Sequence, residues 1–314
     1  MFLVALLLLG LSTSHTITLS PRLLVLGLGN VGRAVVREAA LHGAFVDRIQ
    51  GTSRSATDDG KTVLFEPDSI GPTLTECTHV LITIPPPQDE DTVFDTVIRE
   101  LEAHLCRGAW LGFVSTSGVY GNHDGAWVTE ESSLLCSDDS PTHRYIKHEE
   151  LWRDRAQRCG WTFRIFRCSG LYGPERSALH TLWKTRTMNL SPTAGFTNRI
   201  HEADVARAIV ASMVMPLQKR DYRVYNLADD EPESRAAVMR YAANLLGSIG
   251  VTVSIEEESD SSPSTTRSRR RGTEIKRVSN QRMKEELLSN LLYPTYREGL
   301  TAILQDRSNP WWRA

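Results

Sequence analysis

Gly27-Leu28-Gly29-Asn30-Val31-Gly32 has the residue types and spacing to hold a diphosphate. In a G-x-G-x-x-G turn the first glycine makes the tight bend and the second lets a phosphate reach the backbone. The third lets helix and strand pack closely. The N–H groups that open the helix, at Asn30 and Val31, point at the ligand with the positive end of the helix dipole behind them. About 20 residues further on, NAD-binding chains carry a carboxylate for the ribose 2′-hydroxyl. Here that place reads Gly51-Thr52-Ser53-Arg54-Ser55, with no carboxylate. Arg54 and the hydroxyls of Thr52, Ser53 and Ser55 suit a 2′-phosphate, so the expected cofactor is NADP in preference to NAD. The plainer alternative for Arg54 is a solvent-facing loop residue.

Such a turn works only between a buried strand and a helix, and the flanking sequence supplies both. Leu23-Leu24-Val25-Leu26 is wholly apolar, as a strand covered on both faces requires. Val31, Ala34, Val35 and Ala39 share one helical face. Further strands are expected at Phe45 to Ile49, Thr62 to Phe65, Val80 to Ile84, Trp110 to Val114, Thr162 to Phe166 and Tyr222 to Leu227. Helices are expected at Thr92 to Leu105, Pro141 to Arg158 and Val205 to Met215, with two more around Met283 to Leu288 and Tyr296 to Leu304. This alternation predicts an α/β fold: a Rossmann-type doubly wound parallel sheet with a small C-terminal substrate lobe. The core is expected in residues 22–170 plus 197–230, with the remainder of 22–304 forming the lobe. Residues 256–273 run from Glu256-Glu257-Glu258 to Arg269-Arg270-Arg271 without an apolar period, which predicts a mobile loop. Residues 305–314 are expected to form a tail.

With 40% hydrophobic and 24% charged residues, the 314-residue chain has enough apolar surface for one large α/β domain with an attached lobe. Its net charge of -2 excludes the basic footprint of a nucleic-acid binder. The five cysteines are scattered and form no C-x-x-C pair. They read as reduced thiols, with neither a disulfide framework nor a metal site expected. Phe2 to Leu11 is an apolar run of signal-peptide length, too short to span a bilayer, and no acidic residue precedes Pro21. Residues 1–21 are therefore expected to be a targeting segment, or alternatively a disordered start, with no stable membrane span.

From Leu23 to Leu304 the chain resembles the extended and atypical short-chain dehydrogenase/reductases of the NAD-dependent epimerase/dehydratase family. Five stretches carry the resemblance, in order: Gly27 to Gly32; Ser115-Thr116-Ser117-Gly118-Val119-Tyr120-Gly121; Arg167 to Pro174, ending Leu171-Tyr172-Gly173-Pro174; Arg199-Ile200-His201-Glu202-Ala203-Asp204; and Tyr225-Asn226-Leu227-Ala228-Asp229-Asp230. Lys276-Arg277-Val278-Ser279-Asn280 and Tyr293-Pro294-Thr295-Tyr296 resemble the C-terminal part of one atypical subgroup, similar to bacterial and plastid proteins. That likeness points the targeting segment to a plastid by the secretory route, with the secretory lumen or the cytoplasm as alternatives.

The resemblance implies a site in which a Ser or Thr holds the substrate oxygen and a Tyr moves the proton. A Lys supports the Tyr and binds the nicotinamide ribose. The hydroxyl position falls on Thr116, with Ser115 and Ser117 able to share its role; turn chemistry is the alternative for all three. The lysine position falls on Lys147, followed by Glu149 and Glu150 in the family manner, and the tyrosine position then falls on His143. Tyr145 lies about 200° from Lys147 on a helix, whereas His143 and Lys147 share a face. His143 is thus either an unusual acid/base, or a first-turn structural residue in a chain whose proton relay is degraded. Lys147 is expected to hold the cofactor, its alternative being a surface pair with Glu150. The resemblance places His201 and Asp204 near the substrate lobe, Asp204 as a helix cap. Arg167 and Tyr172 are expected to shape the loop beside the nicotinamide. Cys168 has no evident partner base, and Tyr120 reads as a packed residue.

Two functions stay open at this point. One is an NADP-dependent oxidoreductase or epimerase/isomerase acting on a small hydroxyl or carbonyl metabolite, a nucleotide sugar among the candidates. The other is a non-catalytic NADP-binding redox sensor or scaffold, motivated by the missing tyrosine.

Overall fold

Apolar runs become parallel strands in this chain because helices cover both faces of the sheet. The computed structural model describes residues 21–43, 45, 49–53, 62–66, 70–87, 91–190, 195–216, 222–257 and 275–306. Arg54, Ser55, residues 1–20 of the expected targeting segment, residues 258–273 of the expected loop and residues 307–314 lie outside the described residues. In chain order the first strands are β1 Leu23–Leu26, β2 Ile49–Ser53, β3 Thr62–Leu64, β4 His79–Ile82, β5 Trp110–Thr116, β6 Trp127–Val128 and β7 Thr162–Cys168. They are followed by β8 Gly170–Tyr172, β9 Thr187–Leu190, β10 Phe196–Thr197, β11 Arg199–His201, β12 Tyr222–Leu227, β13 Glu233–Ser234, β14 Ser254–Glu257 and β15 Arg277–Val278.

Seven strands form one sheet in the order β12-β7-β5-β4-β1-β2-β3, every neighbouring pair parallel. The winding reverses between β1 and β4, which opens a crevice at the carboxyl ends of these strands. Leu23 and Val25 face one core cluster with helix α1 (Asn30–Leu41) and residues such as Val205 and Ile209. Leu24 and Leu26 face a second cluster, with α2 (Gly71–Glu76), α3 (Thr92–His104) and α4 (His143–Cys159). A third core lies in the lobe, where α5 (Ala178–Thr185) meets α7 (Arg235–Gly247) and the terminal helix Tyr296–Gln305. Helix α6 (Glu202–Val214) packs beside α1.

Several element boundaries differ from expectation for local reasons. The second strand begins at Ile49, not Phe45; Phe45 instead packs its ring edge-on to His79 at 5.1 Å. Strands β5 and β7 run two residues further than their apolar runs suggest, carrying Ser115-Thr116 and Arg167-Cys168 into the ladder. Ser140 does not cap α4. Its carbonyl accepts from His143 N at 2.9 Å and its hydroxyl pairs with Thr142 Oγ1 at 2.8 Å, so 140–142 form a turn and the helix opens at His143.

Candidate functional site

The glycine-rich turn sits in the crevice at the reversal point. Gly27 has φ +100, and its N–H donates to Thr52 Oγ1 at 3.0 Å while Leu28 N donates to Thr52 O at 2.9 Å. Thr83 closes the other side, donating its hydroxyl to Leu26 O at 3.0 Å and to Gly27 O. A Cβ on Gly32 would lie 2.2 Å from Gly27 O, so only glycine permits this helix–strand approach. A Cβ on Gly29 would meet nothing within 4 Å. Open space therefore lies over the second glycine, beside the N–H groups of Asn30, Val31 and Gly32. The first intrahelical bond is made later, by Arg33 N to Gly29 O at 2.9 Å. The arrangement fits a dinucleotide diphosphate: a positive helix end, unsatisfied donors, and a cradle that a side chain would fill.

Thr52 is a correction to the sequence reading. It is 1% exposed and its hydroxyl holds Gly27, so it shapes the turn instead of surrounding a 2′-phosphate. Ser53 follows at the end of β2, half-buried, with its carbonyl accepting from Phe65 N at 2.8 Å.

At the carboxyl ends of β5 and β7 the three hydroxyls separate. Ser115 is buried and donates to Glu149 Oε1 at 2.5 Å. Thr116 is half-buried and accepts from Gly118 N at 3.1 Å, capping the 3-10 turn Ser117–Tyr120. Ser117 is buried. Cys168 pairs with Thr116 in the ladder, and complete burial pushes its thiol up to about 12, which keeps it from acting as a thiolate nucleophile.

A buried polar network locks α4 onto this edge. Arg167 Nη2 donates to Glu149 Oε2 at 2.7 Å, and Arg167 Nη1 donates to Tyr120 Oη at 3.0 Å. Tyr120 in turn donates to Asn226 Oδ1 at 2.7 Å. Tyr145, Glu149, Trp152 and Ala156 recur at helical spacing on the face turned to the sheet. Glu149 was visible in the sequence only as a possible follower of the lysine. Its true signal is an acid in phase with Trp152 and Ala156, which demands a buried partner.

This rotation corrects the expected His143–Lys147 pair. Lys147 is exposed, about 200° round the helix from Tyr145. His143 Nδ1 lies 3.3 Å from Asp138 Oδ1, without hydrogen-bond geometry. Tyr145 instead faces the sheet, its ring 6.3 Å from that of Phe113 on β5. The guanidinium of Arg144 sits 5.7 Å from the Tyr145 ring centre. Burial pushes the Tyr145 phenol up, and a hydrogen bond and charge from Arg144 oppose this.

The helix cap expected at Asp204 is supplied by His201 instead. His201 is the cap, its Nδ1 accepting from Ala203 N at 3.1 Å, and burial drives its imidazole down to about 4. Asp204, 0% exposed, accepts from Leu292 N at 2.6 Å, Tyr293 N at 2.9 Å and Arg207 Nη1 at 2.9 Å. It ties the C-terminal segment to α6. No helix among the described residues is long and apolar enough to cross a membrane, and no group of potential metal ligands occurs among them.

No protein-family model and no curated protein sequence matches the chain. Solved structures do resemble it. A conserved protein of unknown function from Silicibacter pomeroyi DSS is 31% identical, with 91% of this chain and 99% of that one covered and a TM-score of 0.76. The dTDP-glucose 4,6-dehydratase of Bacillus anthracis str. Ames, solved with NAD, is 18% identical over 93% of this chain and 96% of its own, with a TM-score of 0.68. The UDP-N-acetylglucosamine 4-epimerase of Bacillus cereus is 13% identical over 91% and 98%, with a TM-score of 0.69.

Proposed function

The chain belongs to the extended short-chain dehydrogenase/reductase family of NAD-dependent epimerases and dehydratases, and on that premise we propose that it is an NADP-dependent oxidoreductase or epimerase acting on a hydroxyl or carbonyl metabolite of the nucleotide-sugar class. The observation that carries this reading is the open cradle over Gly29 at the winding reversal. Ligands of doubly wound sheets bind in that crevice. Bound there, the nicotinamide would supply or accept a hydride. The residues of the chain do the rest. Gly29, Asn30, Val31 and Gly32 hold the diphosphate through backbone N–H groups. Thr52 and Thr83 keep the turn in shape from either side. Thr116 spends an acceptor lone pair on Gly118 N and keeps its own proton to donate to a substrate oxygen. The NADP preference rests on Arg54, Ser53 and the missing carboxylate after β2. Nucleotide sugars are supported by the named substrates of the dehydratase and the epimerase.

Calorimetric titration with NADPH and NADH, followed by a panel of nucleotide sugars and simple carbonyl compounds, tests the reading. Binding of NADPH with turnover of at least one compound is expected; binding of neither dinucleotide would overturn it. The exposure of Lys147 favours a second reading, a sensor that binds NADPH without chemistry. Tight binding with no turnover across the panel would select it.

A further inference from the structure

Strand β12 ends the sheet on its side and is bonded to β7 along one edge only. Its sequence, Tyr-Arg-Val-Tyr-Asn-Leu, is rich in aromatic and β-branched residues that favour strands. The outer edge of such a strand is a template for pairing with another chain. Yet Val224 is buried and Asn226 is 0% exposed. Backbone groups at that depth need partners. Leu227 O accepts from Ser169 N on the β7 side at 2.9 Å, so alternation turns the N–H and C=O groups of Tyr222, Val224 and Asn226 outward.

Side chains meet these outward groups. Arg223 Nη1 donates to Tyr222 O at 3.2 Å, and Arg282 Nη1 donates to Val224 O at 3.2 Å. Glu130 Oε1 accepts from Asn226 N at 2.8 Å. Two carbonyls thus find donors and one amide finds an acceptor, as they would beside a further strand. Glu130 reaches the edge from the loop after β6, and Arg282 from the short helix Gln281–Glu286. Ion pairs brace both flanks: Arg282 with Glu131, and Arg223 Nε with Glu286 Oε2 at 3.9 Å. Tyr225 Oη donates to the same Glu286 oxygen at 2.9 Å. The groove between the flanks has a volume of about 430 Å³ and is lined by charges of both signs. A strand entering it would have to displace these contacts.

We propose that Glu130 and Arg282 close this edge against β12 of a second copy of the chain. The partner is another copy because one edge suffices for it. Two chains related by a twofold axis present the same edge to each other, and their β12 strands then run antiparallel. In such a pair the outward groups of each strand would bond those of its mate. Glu130 and Arg282 occupy Asn226 N and Val224 O first, so the sheet ends at β12 although its backbone could carry it further.

Amide hydrogen exchange and sedimentation velocity on the full chain test this. The wild type is expected to protect the Asn226 amide, although it lies on the outer side of the last strand. Glu130→Ala should exchange that amide at least about tenfold faster, as loss of a charge-assisted bond implies. The Phe113 and Ile165 amides, inside the sheet, should not change. Glu130→Gln, which still carries an acceptor oxygen, should keep the protection. The Glu130→Ala/Arg282→Ala double variant is expected to form a species of twice the wild-type mass, more of it at higher concentration. Adding Val224→Pro removes an outward N–H and should restore the wild-type mass. Unchanged Asn226 exchange in Glu130→Ala overturns the proposal. So does a folded double variant that keeps the wild-type mass at every concentration, and so does a folded triple variant that stays associated. If the double variant does not fold, the single variants are measured in its place, and association of neither overturns the proposal.

Discussion

Arg167 and Glu149 meet between β7 and α4, with Nη2 2.7 Å from Oε2 and both residues about 5% exposed or less. This contact sets the rotation of α4. Glu149 must face the sheet to reach Arg167, so Tyr145, one turn earlier, faces the sheet as well and Lys147 is turned outward.

Glu149→Ala should therefore cost roughly 3–5 kcal/mol, because it strands a buried guanidinium as well as the Ser115 hydroxyl. Urea unfolding measures it. A loss below about 1 kcal/mol, the worth of an exposed pair, would show that water reaches Arg167.

Gly29→Ala and Gly32→Ala should separate binding from folding. At Gly29 the added methyl enters open space, so stability should hold while NADPH affinity falls at least about tenfold, as for a blocked phosphate contact. At Gly32 the methyl meets Gly27 O, so both stability and binding should fall. Equal NADPH affinity in Gly29→Ala and wild type would place the diphosphate elsewhere.

Arg54→Ala should narrow the preference for NADPH over NADH. A charge-assisted contact to a 2′-phosphate is worth about 1.5–3 kcal/mol, or roughly tenfold or more in affinity. Parallel titrations decide it, and a wild type that binds both dinucleotides equally sinks the idea.

Asp204→Ala should free Leu292 and Tyr293 amides, which its carboxylate now holds. A loss of about 1.5–3 kcal/mol is expected, since charged acceptors are involved. Hydrogen exchange should show both amides deprotected first; unchanged protection would mean the segment is held by its side chains.

Asp229 gives stability a pH dependence. Burial raises its carboxyl from 3.8 to about 8, against the opposing charge of Arg199. The folded chain then binds a proton that the unfolded chain releases, so this contribution is complete below about pH 4 and is lost as pH rises through about 8. His201, driven down to about 4, acts in the opposite sense: its contribution is present above about 6.5 and is lost as pH falls towards 4. Asp229→Asn should flatten the decline in unfolding free energy between about pH 4 and pH 8. An unchanged slope would assign the decline to other groups.

The sequence by itself determined the sheet and the cofactor turn, because both rest on local physics. Leu23 to Leu26 must be covered on both faces, and Gly27, Gly29 and Gly32 are read directly from backbone geometry. Tyr222–Leu227 matched its strand residue for residue for the same reason. What only the tertiary structure decided is which side chains of a correctly placed element reach the site. Periodicity shows that His143 and Lys147 share a side of α4, but the direction of that side depends on a partner 18 residues away from Glu149, Arg167 on β7. Thr52 likewise has a hydroxyl suited to a phosphate, and its commitment to Gly27 N follows from β2 lying against β1. A residue's type and phase are local properties, whereas the hydrogen bond that uses it up is made only when distant strands and helices meet.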